Sequence, residues 1–432
     1  MVTGLGIMQF LSIAINCIYE LKKKSTAIFL WAVLIVMFGI PHMLSTMMGT
    51  YKYSDTTMKY ASVFVILFCL IYLLTRYIVT QNKENDKRDK VNLSAEEINQ
   101  MSKFMKILFY ILIIIVFIRC ATIVHQGGGI LNTTWETMRE TSQGGYFSFS
   151  QIFIILFFTS SSCIILAIRL RNKKIAILGT LLVLMEVIIS RNRVEILPLF
   201  VTIIYIYIYN HPKIKIRSIL LLGIIGIIAI YTIYALRAFR HIGSLDNLIK
   251  NYNIKTFNDK VIMYLENDDG ELSLREYMYY FMENNNNFFD FGKGHTYIRM
   301  ALVFVPTKWS FNIKPADFAI TMGKAVRPNS VGYSMHPTLF GDVYANFGTY
   351  GFLWGGFWAL MVSCIDIIIE KKNKILYFPF ILNFSIAYII EARGSVYNAY
   401  TWSIYGAVIL TILYTVFRWV NNSEKIFWKN IR

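Results

Sequence analysis

Apolar residues in this chain fall into long, nearly unbroken runs separated by short polar connections, with neither strand alternation nor a one-sided helical stripe. The runs lie near 3–20, 26–48, 59–80, 104–124, 147–169, 175–190, 194–210, 219–236, 349–370, 375–391 and 399–418. Most are about 18–22 residues long, the length a helix needs to cross roughly 30 Å of hydrocarbon. The pattern predicts an all-α polytopic membrane protein with about eleven transmembrane helices. No cleavable signal peptide is expected, because the first run lacks a basic lead and a small-residue cleavage site.

Two polar segments interrupt the series. The shorter, near 81–103 and expected on the cytoplasmic side, contains Ser94-Ala95-Glu96-Glu97, which fits a capping box opening a helix that continues into the fourth span. The longer runs from about 237 to 348, between the eighth and ninth spans. The sequence therefore divides into helices 1–8 over 1–236, one large loop over 237–348, and helices 9–11 with the C-terminal tail over 349–432. The loop is rich in tyrosine, phenylalanine and asparagine, as in "REYMYYFMENNNNFFDFGKGHTYIRM". Aromatic faces beside amides suit sugar rings, and they equally suit an ordinary folded core. Loops of this length are uncommon without a purpose.

Composition agrees with the pattern: 56% of the 432 residues are hydrophobic and only 16% charged. The net charge of +17 would suggest a nucleic-acid partner if the basic residues formed a patch. They cluster instead in the connections: Lys22–Lys24, Lys83–Lys90, Arg171–Lys174, Lys213–Arg217, Lys371–Lys374 and the C-terminal tail. Counting spans puts all of these on one side, the cytoplasmic side by the positive-inside rule. The N-terminus is then outside, the C-terminus is cytoplasmic, the large loop is extracytoplasmic, and no nucleic acid is expected. The five cysteines all fall within expected spans, which argues against a disulfide framework.

Arginine on the outer side is the exception to this distribution. Arg191 and Arg193 lie in "ISRNRVEILPL", Arg237 and Arg240 in "YALRAFRHIG", and Arg393 in "IIEARGSVYNAY". Any one could snorkel from a helix end. Five together suit a phosphate or pyrophosphate at the membrane surface, because guanidinium forks bind its oxygens bidentately. Glu186 lies inside an expected span and should pair with an arginine of its own or a neighbouring helix. Glu195 and Glu391 are candidate counter-ions as well.

Three stretches carry a resemblance: "SRNRVEIL", "GKGHTYIRMALVFVPTKWSFNIKPADFA" and "MHPTLFGDVYANFGTYGFLWGGF". In their order and sidedness they resemble the Wzy-type oligosaccharide repeat-unit polymerases, relatives of the O-antigen ligases. The family often has arginine directly after the loop proline. Here Pro306 is followed by Thr307 and Lys308, so Lys308 is the candidate charge at that position.

The resemblance implies a bacterial inner-membrane glycosyltransferase acting on polyprenyl-pyrophosphate-linked oligosaccharides, by inverting, metal-independent transfer with no cofactor. It implies His336 as general base or acceptor-positioning residue, with Asp342 and Tyr344 close enough to orient it. A chain-length regulator and a flippase are the protein partners it suggests. His336 could instead cap the following helix. The other histidines, His42, His125, His211, His241 and His295, show no metal-ligand spacing. A ligase using the same donor is the nearest alternative. A lipid-linked oligosaccharide flippase is the alternative from another class, though no internal repeat of the transporter kind is evident.

Overall fold

The structure, a computed structural model, describes residues 1–81, 93–137, 149–211, 216–266, 271–311, 313–329, 333–371 and 373–431. Every regular element among them is helical. In chain order these are α1 (Val2–Lys23), α2 (Ile28–Leu34), α3 (Ile40–Met48), α4 (Asp55–Gln81), α5 (Ala95–Gln126), α6 (Phe149–Arg169), α7 (Lys173–Ser190), α8 (Leu197–Asn210) and α9 (Ile216–Ile242). Then come α10 (Leu245–Asn251), α11 (Ile254–Glu266), α12 (Leu274–Glu283), α13 (His295–Ala301), α14 (Phe318–Val326), α15 (Thr338–Phe347), α16 (Trp354–Lys371), α17 (Lys374–Ala392) and α18 (Val396–Ile431). Ten helical stretches among the described residues are long and apolar enough to cross a membrane, so the chain is a multi-pass membrane protein. The expected sixth span exists as helix α7 but is not among the ten; Lys173, Lys174 and Glu186 interrupt its apolar character.

The chain folds as two compact units. The first comprises Met1–Arg88, Asp268–Lys371 and Phe384–Thr401, and the second Asp89–Asn267, Lys372–Asn383 and Trp402–Arg432. The loop expected over 237–348 is thus not one body. Helix α9 runs on to Ile242, so Arg237 and Arg240 stand on its last turns, and the loop's remaining residues are shared between the units.

In the first unit α1, α4 and α16 are tied by one buried cation. Arg76 of α4 donates from Nε and Nη2 to the two oxygens of Glu20, at 2.8 and 2.9 Å, and from Nη1 to Ser363 Oγ at 2.9 Å. Its Nη2 also reaches Asp366, which accepts from Ser25 Oγ. Arg76 is 1% exposed and Glu20 0%. Charges this deep persist only when paired and fully hydrogen-bonded, as these are. Around them the helices approach closely. Gly355 of α16 sits against the Phe68 carbonyl of α4, and Gly351 against Val343 and Phe64, the small-residue packing common between membrane helices.

The loop helices of this unit dock through a second buried polar contact. His42 follows Pro41 after a π-helical turn, Ile35–Gly39. Both its ring nitrogens are engaged, Nδ1 with Tyr279 OH of α12 at 2.6 Å and Nε2 with Ser62 Oγ of α4 at 2.8 Å. Phe38 stacks on His42 and meets Tyr279 and Phe340 edge-on. Glu283 at the end of α12 accepts from Ser54 Oγ at 3.0 Å and from Thr57 Oγ1, pinning that helix to the start of α4.

In the second unit the expected capping box is present. Glu97 N donates to Ser94 Oγ and Ser94 N to Glu97 Oε2, opening a helix of 32 residues. Lys374 also reaches Glu97, at 3.2 Å.

Replacing Arg76 by methionine should leave Glu20 and Asp366 buried without their cation. A loss of about 3–5 kcal/mol is expected, read as a lower thermal midpoint of the purified protein in detergent. An unchanged midpoint would remove Arg76 as the tie between these helices.

Candidate functional site

The segment preceding α15 turns sharply. His336-Pro337-Thr338 places Thr338 at φ 65°, a left-handed conformation that a β-branched residue rarely adopts. Such strain costs on the order of 1–3 kcal/mol and persists only where surroundings enforce it. Here Thr338 N donates to the Arg393 carbonyl at 3.2 Å, and Gly394, at φ 96°, lies directly beneath. A Cβ on Gly394 would stand 2.6 Å from Thr338 N and 3.0 Å from the His336 carbonyl carbon. The turn between α17 and α18 therefore holds the His336 turn in place. His336 does not cap α15, whose first residue follows Pro337 with no side-chain cap.

His336 opens onto a small recess, with room for about one water, together with Thr296, Arg299, Asp317, Asp342, Tyr397 and Asn398. All belong to the first unit. His336 Nδ1 is buried and has no hydrogen-bond partner among the described residues. Burial first, and the Arg393 cation second, push the imidazole down to about 3, against the smaller opposing effects of Glu271 and a hydrogen bond to the Gly394 backbone. The ring is therefore neutral throughout the physiological range and offers an acceptor to the cavity.

The opposite wall is a closed polar network. Asp342 accepts from Thr296 Oγ1 and from Asn346 Nδ2, both at 3.2 Å, and Asn346 Oδ1 accepts from Thr296 N at 3.0 Å. Gly292 N and Gly294 N donate to the Ala345 and Asn346 carbonyls at the end of α15, which fixes α13 against it. Arg299 of α13 lies over the Tyr397 ring at 4.5 Å and donates to the Pro315 carbonyl at 2.6 Å, while its Nε has no partner among the described residues. Asp317 Oδ1 caps α14 by accepting from Ala319 N. The result is a shallow recess that presents acceptors, a guanidinium and an aromatic face at its mouth.

The remaining candidates of this unit stand elsewhere. Tyr344 packs against Tyr60 and Phe64 of α4 and does not line the cavity. Lys308 is exposed on a short turn, Thr307–Trp309. Arg393 is engaged by Glu271, Nε to Oε2 at 2.6 Å. Glu391, a candidate counter-ion, is buried with Oε2 unpartnered, and Arg393 takes Glu271 instead.

In the second unit the carboxylates of "MEVIISRNRVEIL" are neutralised by an arginine from another helix. Arg119 of α5 pairs with Glu186 at 3.1 Å and Glu195 at 2.8 Å. Glu195 also accepts from Ser190 Oγ at 2.5 Å and Asn192 Nδ2 at 3.0 Å. Arg191 thereby keeps no carboxylate among the described residues. It ends α7 at φ 54°, is 0% exposed, lies over the Phe239 ring at 4.4 Å and donates from Nη2 to the Thr133 carbonyl. Its Nε and Nη1 have no partner among the described residues. Burial lowers it only to about 10, so it remains a cation. Arg240 and Arg237 of the same unit lie over Trp135 and Tyr264 at 3.1 and 5.3 Å. Arg193 is half-buried in the turn Arg193–Ile196.

Sequence reasoning missed Arg119, Thr296, Arg299, Asp317, Asn346 and Asn398. Arg119 alone carried a signal, as an ionisable residue within an apolar run. Comparison with family models, curated proteins and solved structures returns no match for the chain.

The unfolded imidazole titrates near 6.5 and the folded one near 3, so stability should rise with pH between those values as the unfolded state gives up its extra proton. His336→Asn should flatten that rise, seen as a smaller difference in thermal midpoint between about pH 4 and about pH 7.5. An identical pH dependence in the variant would place the titrating group elsewhere.

Proposed function

We propose that this chain is a bacterial cytoplasmic-membrane glycosyltransferase that polymerises polyprenyl-pyrophosphate-linked oligosaccharide repeat units on the outer face. The observation that carries the reading is Arg191, a buried guanidinium that has, among the described residues, two unengaged nitrogens and no carboxylate. A cation so placed is costly unless an anion completes it, and a diphosphate matches its fork geometry. Positive charge fixed beside a departing pyrophosphate stabilises the transition state more than the ground state. The sidedness of this reading is supported by the lysine-rich connections, through the positive-inside rule.

In this reading the first unit, taken by itself, offers acceptor contacts, and a sugar docks at the mouth of its His336 recess. Its hydroxyl donates to His336 Nδ1, and Asp342, Arg299 and Asn398 meet neighbouring hydroxyls. The acceptor oxygen forms a bond to the anomeric carbon while the bond to pyrophosphate breaks, inverting that carbon. An imidazole whose conjugate acid lies near 3 holds a proton poorly, so His336 orients the attacking oxygen and the proton passes on to solvent.

Deletion of the protein should leave single repeat units at the cell surface, with no ladder of longer glycan on a gel. Arg191→Lys, stably inserted, should restore little of the ladder, because one ammonium cannot make the paired contacts. Finished polymer stranded on its lipid carrier would indicate a ligase instead, and an unchanged ladder would end the glycan reading.

A further inference from the structure

The chain that follows α13 has its polarity inverted. Phe304, Trp309, Phe311 and Ile313 are 62%, 74%, 90% and 68% exposed, while Ser310 and Lys314 beside them are buried. The shape is fixed from within. Lys314 Nζ donates to the Val305 carbonyl and Ser310 Oγ to the Thr307 carbonyl, both at 2.8 Å, and Trp309 N donates to the Pro306 carbonyl at 2.9 Å. Arg299 of α13 holds the returning chain through the Pro315 carbonyl. A turn surrounded by water would point its lysine outward and its aromatic rings inward. One exposed apolar side chain needs no explanation; four on one well-braced turn do.

The depth of this turn follows from α16. Its 18 residues extend about 27 Å, close to the thickness of the hydrocarbon core, and end at Lys371. Trp354, Phe357 and Trp358 therefore mark the boundary at the other end, where aromatic side chains gather. Tyr297 of α13 packs on that boundary. Its ring lies 5.7 Å from Trp354 and 5.6 Å from Phe357, and its hydroxyl accepts from Trp358 Nε1 at 3.3 Å. The chain leaves α13 at Ala301, so Phe304 and the turn beyond it start from the same level. Lys308, exposed in the turn Thr307–Trp309, sets a positive charge among the rings.

We propose that Phe304, Trp309, Phe311 and Ile313 insert into the bilayer surface at which α16 begins, with Lys308 on the lipid phosphates. The apolar tips exchange water for acyl chain, the ammonium stays at headgroup level, and attraction to anionic lipid adds to the apolar burial. The inserted turn anchors α13, which carries Thr296 and Arg299 of the His336 recess, at a fixed depth. A protein partner would also cover the rings, but the bilayer already lies at this level because α16 crosses it. The inference stands apart from the glycan reading, since it uses neither the arginines of the second unit nor any chemistry at His336.

The test uses the full-length protein in lipid nanodiscs of phosphatidylcholine and phosphatidylglycerol, with both faces open to solution. Cys364, the exposed cysteine, is replaced by serine, and that variant alone gives the labelling background. Phe311→Cys is then added and labelled with bimane. Phospholipid bearing a nitroxide high on its acyl chain should quench the label strongly, and aqueous iodide should quench it several-fold less than the free dye. No quenching by the nitroxide lipid would overturn the proposal, whether iodide reaches the label, as in open water, or is excluded, as under a protein partner. Trp309→Cys, labelled in the same way, decides the matter if the Phe311 variant fails to insert.

Discussion

The guanidinium of Arg76 sets the constraint on which the first unit depends. An arginine cannot be neutralised by deprotonation at any physiological pH, so once buried it must collect acceptors. It does so from two helices and a turn at once: Glu20 of α1, Ser363 and Asp366 of α16, and Ser25 at the turn after α1. Each of those groups would be costly to bury alone. Together they fix how far α1 and α16 can shift along α4, and the glycine contacts between α4 and α16 are tolerable only at that setting. Van der Waals packing among apolar helices would allow many registers; the ionic cluster selects one.

That selection reaches the cavity through covalent continuity and strain. Helix α16 and the short turn before it carry the end of α15, and α15 carries Asp342 and Asn346. The left-handed Thr338 at its start is held by the Arg393 carbonyl and has room only because residue 394 is glycine. His336 is therefore positioned by backbone rather than by a side-chain partner, which leaves Nδ1 unengaged. A histidine braced by a carboxylate would have its charge favoured. This one is braced by peptide groups beside an arginine, and it stays neutral.

The membrane-helix pattern was legible from apolar run length, which reports a property of single segments. The capping box at Ser94 was legible for the same reason, since both partners lie within four residues. Pairing between distant segments was not. Glu186 called for an arginine, and nothing in the neighbouring sequence distinguishes Arg191, five residues on, from Arg119, which takes it. Arg393 stands two residues from Glu391 and pairs with Glu271. Asp342 and Tyr344, two residues apart, lie on nearly opposite sides of a helix, so only one can line the cavity. Thr296 and Asn346 carry no motif; their role exists only after α13 folds onto α15.

Two deeply buried arginines thus meet opposite fates, and the difference is informative. Arg76 has more carboxylate than it needs, and nothing further is required to hold its charge. Arg191 is equally buried but meets one carbonyl and one aromatic face, while the carboxylates on its own segment are taken by Arg119. Had the fold needed Arg191 only for stability, either of those carboxylates could have served it, and an apolar residue would have cost less than a lone cation. Arg119 acts as the device that withholds them. In the proposed function, a guanidinium kept charged, buried and without a carboxylate among the described residues is prepared for an anionic ligand, at the cost of the stability that pairing would have supplied.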